Sequence, residues 1–357
     1  MEIHLTHAVI SGANYTFEDK FNIFAPALNA VCNSINDFMK YQTLLYYCYS
    51  TIHNAEQFAA EHLQFCKSID LVGRIIVADE GLNGTVSGTQ ESCKMYMEYV
   101  LADPRFSKTD FKVDDVAEPS FIKMHCRYKS EIVNSGLRDP QIISPQQKTG
   151  IHLEPDEFMK MKDRDDVVIL DVRSNYEHSV GRFKNAVTLD IENFREFPEK
   201  INELAQYKDK TILTYCTGGI KCEKASALLL HEGFKNVYQL HGGIIKYGKE
   251  AGGEDFEGKC YVFDNRLTVN VNSVNPVIIS HCRICGNVTG KMINCANPEC
   301  NKHFTQCSEC GVKLEGACSE TCKVHPRKRI YNGTGCYVKV PQVVNTEKKS
   351  KRKITVK

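Results

Sequence analysis

Residues 211–224 read TILTYCTGGIKCEK. Thr211–Tyr215 is β-branched and apolar, the composition of a strand buried on both faces. Cys216 falls where that strand ends. Gly218 and Gly219 permit a tight turn whose backbone N–H groups face inward. From Cys222 to His231, Ala225, Ala227, Leu228, Leu229 and Leu230 supply the apolar side of a helix, and Gly233 ends it. A ring of N–H groups at a helix N-terminus stabilises an anion. Such a ring lowers the pKa of Cys216 and enriches the thiolate, its nucleophilic form. Lys221 and Lys224 are expected to add positive charge beside it. A buried structural cysteine is the bland alternative, but the glycines, the cations and the strand-loop-helix setting favour a reactive one.

Working outward, the loop Cys216-Thr217-Gly218-Gly219-Ile220-Lys221 has the pattern C-x4-[RK]. It resembles the active-site loop of rhodanese domains, in which the first cysteine carries a persulfide sulfur. By that resemblance the loop is the short kind, suited to sulfur rather than phosphate. Upstream, Val167–Val172 is a strong strand, and DVRSNYEHSVGRFKNAVTLD resembles the front half of the same fold. Asp171, Arg173 and Glu177 are expected there as structural ion-pair members, because buried charges need partners. Glu154–Lys162 and Glu199–Leu204 read as helices. Asn236–Leu240 reads as the last strand, before the turn His241-Gly242-Gly243. Strands alternating with helices give an α/β domain with a central parallel sheet, its active loop at a strand's carboxyl end.

Toward the N-terminus, strands are expected at Leu44–Tyr49, Gly73–Ala78, Thr85–Ser87, Phe111–Val113 and Ile122–Arg127. Helices are expected at Ala55–Cys66 and Glu91–Leu101, and Asp79–Gly84 reads as a turn. The order β-α-β-β-α-β suggests an α+β, ferredoxin-like domain with both helices on one face and the other face free for a ligand or partner domain. Lys123, His125, Arg127 and Lys129 alternate, so they share one side of the last strand. They read as a phosphate-contacting stripe or as a solvated face. Segments Phe21–Phe24 and Ala25–Phe38 read as a helix or two without assigned function.

The chain has 357 residues, 42% of them hydrophobic and 25% charged, which suits two or three globular domains. A net charge of +1 means that any nucleic-acid contact must come from local patches. The start MEIHLTHAVI does not read as a signal peptide, and no apolar run approaches membrane-spanning length, so a cytoplasmic protein is expected. Eight of the 17 cysteines crowd into one short segment: Cys282, Cys285, Cys295, Cys300, Cys307, Cys310, Cys318 and Cys322. Such crowding in a cytosolic chain favours metal over disulfides. Eight thiolates suit two closed tetrahedral sites for structural zinc, with iron–sulfur ligation as the rival. Sequential and cross-braced pairing both fit, as does replacement of one cysteine by His281, His303 or His325. Lys348–Lys353 forms a basic tail, either a solvated run or an arm for nucleic acid. The resulting division is an extension (1–40), a ferredoxin-like domain (41–130), a linker (131–150), a rhodanese domain (151–255), a zinc module (256–325) and the tail (326–357).

Taken together these parts resemble the tRNA uridine(34) hydroxylase family over about residues 41–325. The stretches GLNGTVSG, CTGGIKCEKAS and HGGI carry the resemblance most specifically. It implies oxygen-dependent formation of 5-hydroxyuridine at the tRNA wobble position, with molecular oxygen as co-substrate and the anticodon stem-loop as partner. It assigns Cys216 as the reactive, persulfide-type cysteine in the anion-binding loop Thr217, Gly218, Gly219, Ile220 and Lys221. Lys123, Arg127 and Lys129 are candidate RNA contacts. No flavin or nicotinamide motif is read. The family usually has arginine where this chain has Lys221, which keeps the charge but loses the planar fork. Cys222 either resolves an oxidised Cys216 as a disulfide or is a packed helix cysteine. Two other readings are a rhodanese-type sulfurtransferase and a non-catalytic, zinc-stabilised RNA-binding module.

Overall fold

The computed structural model describes residues 40–137 and 143–337. The helices read within 21–38, part of the linker and the basic run at 348–353 lie outside the described residues.

Strand β1 (Tyr41–Tyr49) is followed by helix α1 (Ala55–Ser68), the hairpin β2 (Val72–Ala78) and β3 (Gly81–Thr89), helix α2 (Gln90–Ala102), β4 (Lys112–Val116) and β5 (Met124–Tyr128). The sheet runs β4-β1-β3-β2-β5, so all five strands read from the sequence join one sheet, with β5 parallel to β2, where the β-α-β-β-α-β order counted four. Alternation decides which side of each strand is dry. Leu44, Tyr46, Ile75, Val77, Val86 and Met124 are buried together with Tyr96 and Val100 of α2. The Thr89 hydroxyl caps α2 by accepting from the Ser92 N–H at 3.1 Å.

The expected turn at 79–84 shrinks to Asp79-Glu80, and Gly81–Gly84 lies within β3. The glycines there serve close approach instead of a turn. A Cβ on Gly81 would lie 2.1 Å from the Cys48 carbonyl oxygen, and one on Gly84 would lie 2.2 Å from the Tyr46 hydroxyl. Both contacts come from the neighbouring strand β1.

The second unit comprises β6 (Ile151–Leu153), α3 (Pro155–Met161), β7 (Val167–Asp171), α4 (Asn175–His178), β8 (Gly181–Phe183), β9 (Val187–Thr188), α5 (Phe197–Lys200), β10 (Thr211–Tyr215), α6 (Ile220–His231), β11 (Asn236–Leu240) and α7 (Gly243–Glu250), and five of its strands form a sheet. Its order is β6-β11-β10-β7-β9, parallel throughout. Every residue of β10 is buried, as a central parallel strand requires. Asp171 and Arg173 form a fully buried pair at 2.7 Å, and the Tyr215 hydroxyl donates to the same carboxylate at 2.6 Å. This ties the end of β7 to the end of β10, beside Cys216.

Beyond it, β12 (Phe256–Gly258) pairs with β8, and β13 (Cys260–Tyr261) pairs with β14 (Thr268–Val269). The cysteine-rich segment holds the hairpin β15 (Met292–Asn294) and β16 (His303–Thr305), then α8 (Ser308–Lys313) and α9 (Glu320–Lys323). Among the described residues no helix is long and apolar enough to cross a membrane.

The helix-free face of the first sheet packs against the end of the second at Cys216. Lys224 on α6 locks the two together. Its Nζ lies 2.9 Å from Glu80 and 3.0 Å from Glu131, both from the first unit. The charge of Lys224, which the sequence placed beside Cys216, is therefore neutralised by these two carboxylates. Breaking a buried pair leaves charge uncompensated. The glutamates remain 23% and 17% exposed, so Lys224→Met is expected to cost about 2–3 kcal/mol, less than a fully buried pair would. Urea unfolding of the purified variant measures it.

Candidate active site

Cys216 is the first residue after β10, and only 1% of it is exposed. Its Sγ accepts from the Gly219 N–H at 3.2 Å. The backbone N–H groups of Cys222 and Lys221 also stabilise the sulfur. The loop carbonyls are engaged from the outside. The N–H groups of Ile244 and Ile245 donate to the carbonyls of Cys216 and Thr217 at 3.0 and 3.1 Å. The HGGI turn thus braces the loop from the side opposite the sulfur. Gly243, at φ +65°, has no room for a side chain: a Cβ would lie 2.5 Å from the Cys216 oxygen. The glycines at 218 and 219 have a second reason. Added Cβ atoms would meet Leu45 and the Tyr47 hydroxyl, each at 2.9 Å, and Gly219 has φ +100°. The first sheet sits directly on the loop.

Lys221 is nearly buried, with Nζ 2.5 Å from Glu177 Oε2 and 5.4 Å from the centre of the Phe263 ring. Glu177 also accepts from the Ser174 N–H at 3.1 Å through Oε2, while its buried Oε1 has no hydrogen-bond partner among the described residues. Glu177 is therefore an ion-pair member of the loop itself, whereas Asp171 and Arg173 pair with each other. Burial pushes the Cys216 thiol up, but the Cys222 thiol, the Lys221 charge and the N–H groups of Cys222 and Lys221 outweigh it. The net result is a pKa lowered to about 7. Cys222 is pushed the other way, by burial first and then by Cys216. The two thiols lie in the same buried cluster, with Cys216 the more readily ionised of the pair.

The thiolate fraction of Cys216 rises with pH and levels off above about 7. The rate of alkylation by iodoacetamide is expected to titrate with that midpoint. Lys221→Ala removes a cation that favours the charged form, so the midpoint is expected to move up by about one unit. An unchanged midpoint would remove Lys221 from the account.

Access to the sulfur is through a cavity of about 350 Å³ between the first sheet and the loop. Leu45, Tyr47, Arg74, Asn83, Thr85 and Phe263 help to line it. None of these was singled out from the sequence, because they come from four separate segments; only the GLNGTVSG stretch hinted at Asn83 and Thr85. Behind the loop, Glu223 accepts from the Tyr47 hydroxyl at 2.9 Å and bonds His152 at 2.8 Å and Gln239 at 3.0 Å.

Lys123, His125 and Arg127 fall on the cavity side of the first sheet, opposite in parity to buried Met124 and Cys126. His125 pairs in register with Arg74, and Arg127 with Ile76. Lys129 follows with the same parity and donates its N–H to the Val77 carbonyl at 2.8 Å. Burial, then the charges of Arg127, Arg74 and Lys123, hold the His125 pKa below its ordinary value. No carboxylate pairs with Arg74, Lys123, Arg127 or Lys129 among the described residues.

The eight clustered cysteines form two groups that could hold metal ions: Cys282, Cys285, Cys307 and Cys310, and Cys295, Cys300, Cys318 and Cys322. The pairing is cross-braced, which settles the choice that the spacing left open. Within each group all sulfurs lie within 4.8 Å of one another. Cys285 and Cys307 are 3.7 Å apart, as are Cys300 and Cys318. A tetrahedral thiolate site with bonds of about 2.3 Å places its sulfurs about 3.8 Å apart, so the donor sets fit such an ion. His281, His303 and His325 belong to neither group. His303 instead bonds the Tyr261 hydroxyl at 2.9 Å and packs on Tyr176, next to Glu177.

Three family models match the chain. They are a UPF0176 acylphosphatase like domain over residues 41–132, a rhodanese-like domain over 154–250 and a rhodanase C-terminal model over 257–323. Fold and site define a rhodanese-type thiol protein whose loop faces an acylphosphatase-like sheet. A tRNA uridine(34) hydroxylase of Cytophaga hutchinsonii is 62% identical over 299 residues, which cover 84% of this chain and 95% of that protein. One of Bacillus mycoides is 49% identical over 292 residues, covering 81% of this chain and 91% of that protein. The chain belongs to the tRNA uridine(34) hydroxylase family.

Proposed function

We propose that this chain is a tRNA-modifying oxidoreductase that hydroxylates uridine 34 at C5 in an oxygen-dependent reaction. The observation that carries the reading is the Cys216 thiolate loop at the floor of a cavity with an unpaired cationic edge. Membership of the family supports it, since the relatives bear the name of that activity. Cys216 acts as the reactive, persulfide-type thiol. The N–H groups of the loop from Thr217 to Lys221, with the Lys221 charge, stabilise anionic forms of its sulfur. Lysine in place of the family's usual arginine suffices for this role, because a buried charge rather than a bidentate grip is what Glu177 holds in place. Cys222 serves as the resolving thiol.

Lys123, Arg127 and Lys129 contact RNA phosphates, and the wobble base is splayed out of its stack toward Cys216. The two cysteine groups hold structural zinc, which contributes folding energy to a module with little core of its own. A cytoplasmic location follows from a tRNA substrate.

The test is growth under isotopically labelled oxygen gas, with nucleoside analysis of tRNA from a deletion strain carrying the native chain. Labelled 5-hydroxyuridine is expected. Its absence, together with rapid thiocyanate formation from thiosulfate and cyanide, would favour the sulfurtransferase reading, which the short C-x4-K loop also suits.

A further inference from the structure

The open face of the first sheet is ordered in two rows that cross the strands. In register, Leu45, Thr85, Arg74 and His125 make one row, and Tyr47, Asn83, Ile76 and Arg127 the other. One end of each row touches the thiol loop, through Leu45 at Gly218 and Tyr47 at Gly219. The other end is the cationic edge. Three interstrand spacings, about 14 Å, separate the two. Along that path the lining changes from apolar and aromatic to amide and hydroxyl, then to guanidinium.

Three groups on the path lack the partners that folding usually supplies. Asn83 donates to the Ile132 carbonyl at 3.0 Å, which fixes its amide and leaves Oδ1 without a partner among the described residues. Arg74 has the Phe121 ring at 5.7 Å as its neighbour, and no carboxylate among the described residues. Phe263 lines the cavity from the other side yet is 44% exposed. Its ring is oriented by Tyr261, edge-on at 5.1 Å, and by the Lys221 ammonium. An exposed aromatic face, a free amide acceptor and an unpaired guanidinium, in that order from a thiolate, complement a flat base, its polar edge and a phosphate.

Resting on the function proposed above, we infer that the cavity is a subsite for one unstacked pyrimidine nucleotide. Phe263 stacks on the base, Asn83 and Thr85 read its edge, and Arg74 meets its phosphate. The free Asn83 Oδ1 accepts from the N3–H that uracil has and cytosine lacks. The edge residues His125 and Arg127 then take the neighbouring phosphates.

The experiment compares binding of two labelled tRNA transcripts by the full-length, metal-loaded protein. One has uridine at position 34 and the other an abasic site there. Stacking of one base on an aromatic ring is worth roughly 5- to 150-fold in affinity. The native protein is expected to prefer the uridine transcript by a factor in that range. Phe263→Ala is expected to abolish the preference while keeping native affinity for the abasic RNA, which also shows that the variant is folded. Phe263→Trp restores the preference. Arg74→Ala weakens binding of both RNAs alike. Equal binding of the two RNAs by the native protein overturns the subsite, as does a Phe263→Ala defect that is the same on both. Either result leaves the hydroxylase reading standing if the native chain still forms 5-hydroxyuridine in a deletion strain. If it forms none, reading and subsite fall together.

Discussion

Cys285→Ser is expected to release a metal ion and to unfold the C-terminal module. The reason is the cross-brace. Cys282 and Cys285 are tied to Cys307 and Cys310, while Cys295 and Cys300 between them are tied to Cys318 and Cys322. Neither site closes without threading through the other, so losing one frees the loop that carries half of the second. The apolar core that remains is small, with Ile293, Phe304 and Ala317 as its buried members besides cysteines. Binding of a structural zinc ion is worth about 10–16 kcal/mol, and in such a module that energy is folding energy. The damage spreads to the thiol site. His303 of β16 bonds Tyr261, and the Tyr261 carbonyl accepts from the Thr217 hydroxyl at 3.2 Å. Elemental analysis of the purified native chain is expected to give two metal ions per molecule, and the variant one or none, with rapid proteolysis of the segment beyond about residue 280. A variant that keeps both ions and resists protease would contradict the cross-brace.

Cys216→Ser is expected to lower 5-hydroxyuridine formation by purified protein on the order of 10³-fold or more, with tRNA binding unchanged. A serine hydroxyl fills the same space but does not ionise near neutral pH and carries no sulfur chemistry. The loop that brings the Cys216 pKa to about 7 has no comparable effect to exert on it. Folding should survive, because the carbonyl contacts from Ile244 and Ile245 do not involve the side chain. Single-turnover assays on unmodified tRNA separate this loss from a loss of binding. A large fall in affinity with an intact rate would move Cys216 from chemistry to recognition.

What could be read from the chain in advance was what is local in it. A strand, the cysteine loop and a helix are consecutive, so residues 211–231 announced both the parallel sheet and the anion-stabilising loop. Cysteine spacing announced the metal groups. The pairing of those cysteines was not legible, since sequential and interleaved closure satisfy the same spacing and differ only in three dimensions. Lys224 shows the limit on charge arguments. It stands three residues from Lys221 on the first turns of one helix, yet Lys221 meets Glu177 beside the sulfur, and Lys224 meets Glu80 and Glu131 from another unit. Glycine signals were ambiguous in the same way. In residues 81–84 they allow β1 to approach closely and do not mark a turn. The cavity was hidden because its walls are assembled from β1, β2, β3 and the segment after β13. No periodicity links Arg74 to Phe263. An unpaired arginine can be recognised only once the carboxylates around it have been placed.

The most direct test is nucleoside mass spectrometry of total tRNA from a deletion strain carrying either the native chain or Cys216→Ser. 5-Hydroxyuridine or its derivatives are expected with the native chain and none with the variant, at equal levels of soluble protein. Equal modification in both strains would contradict the catalytic role of Cys216, because the hydroxylation would then proceed without the thiolate around which the loop, the HGGI turn and the cavity are built.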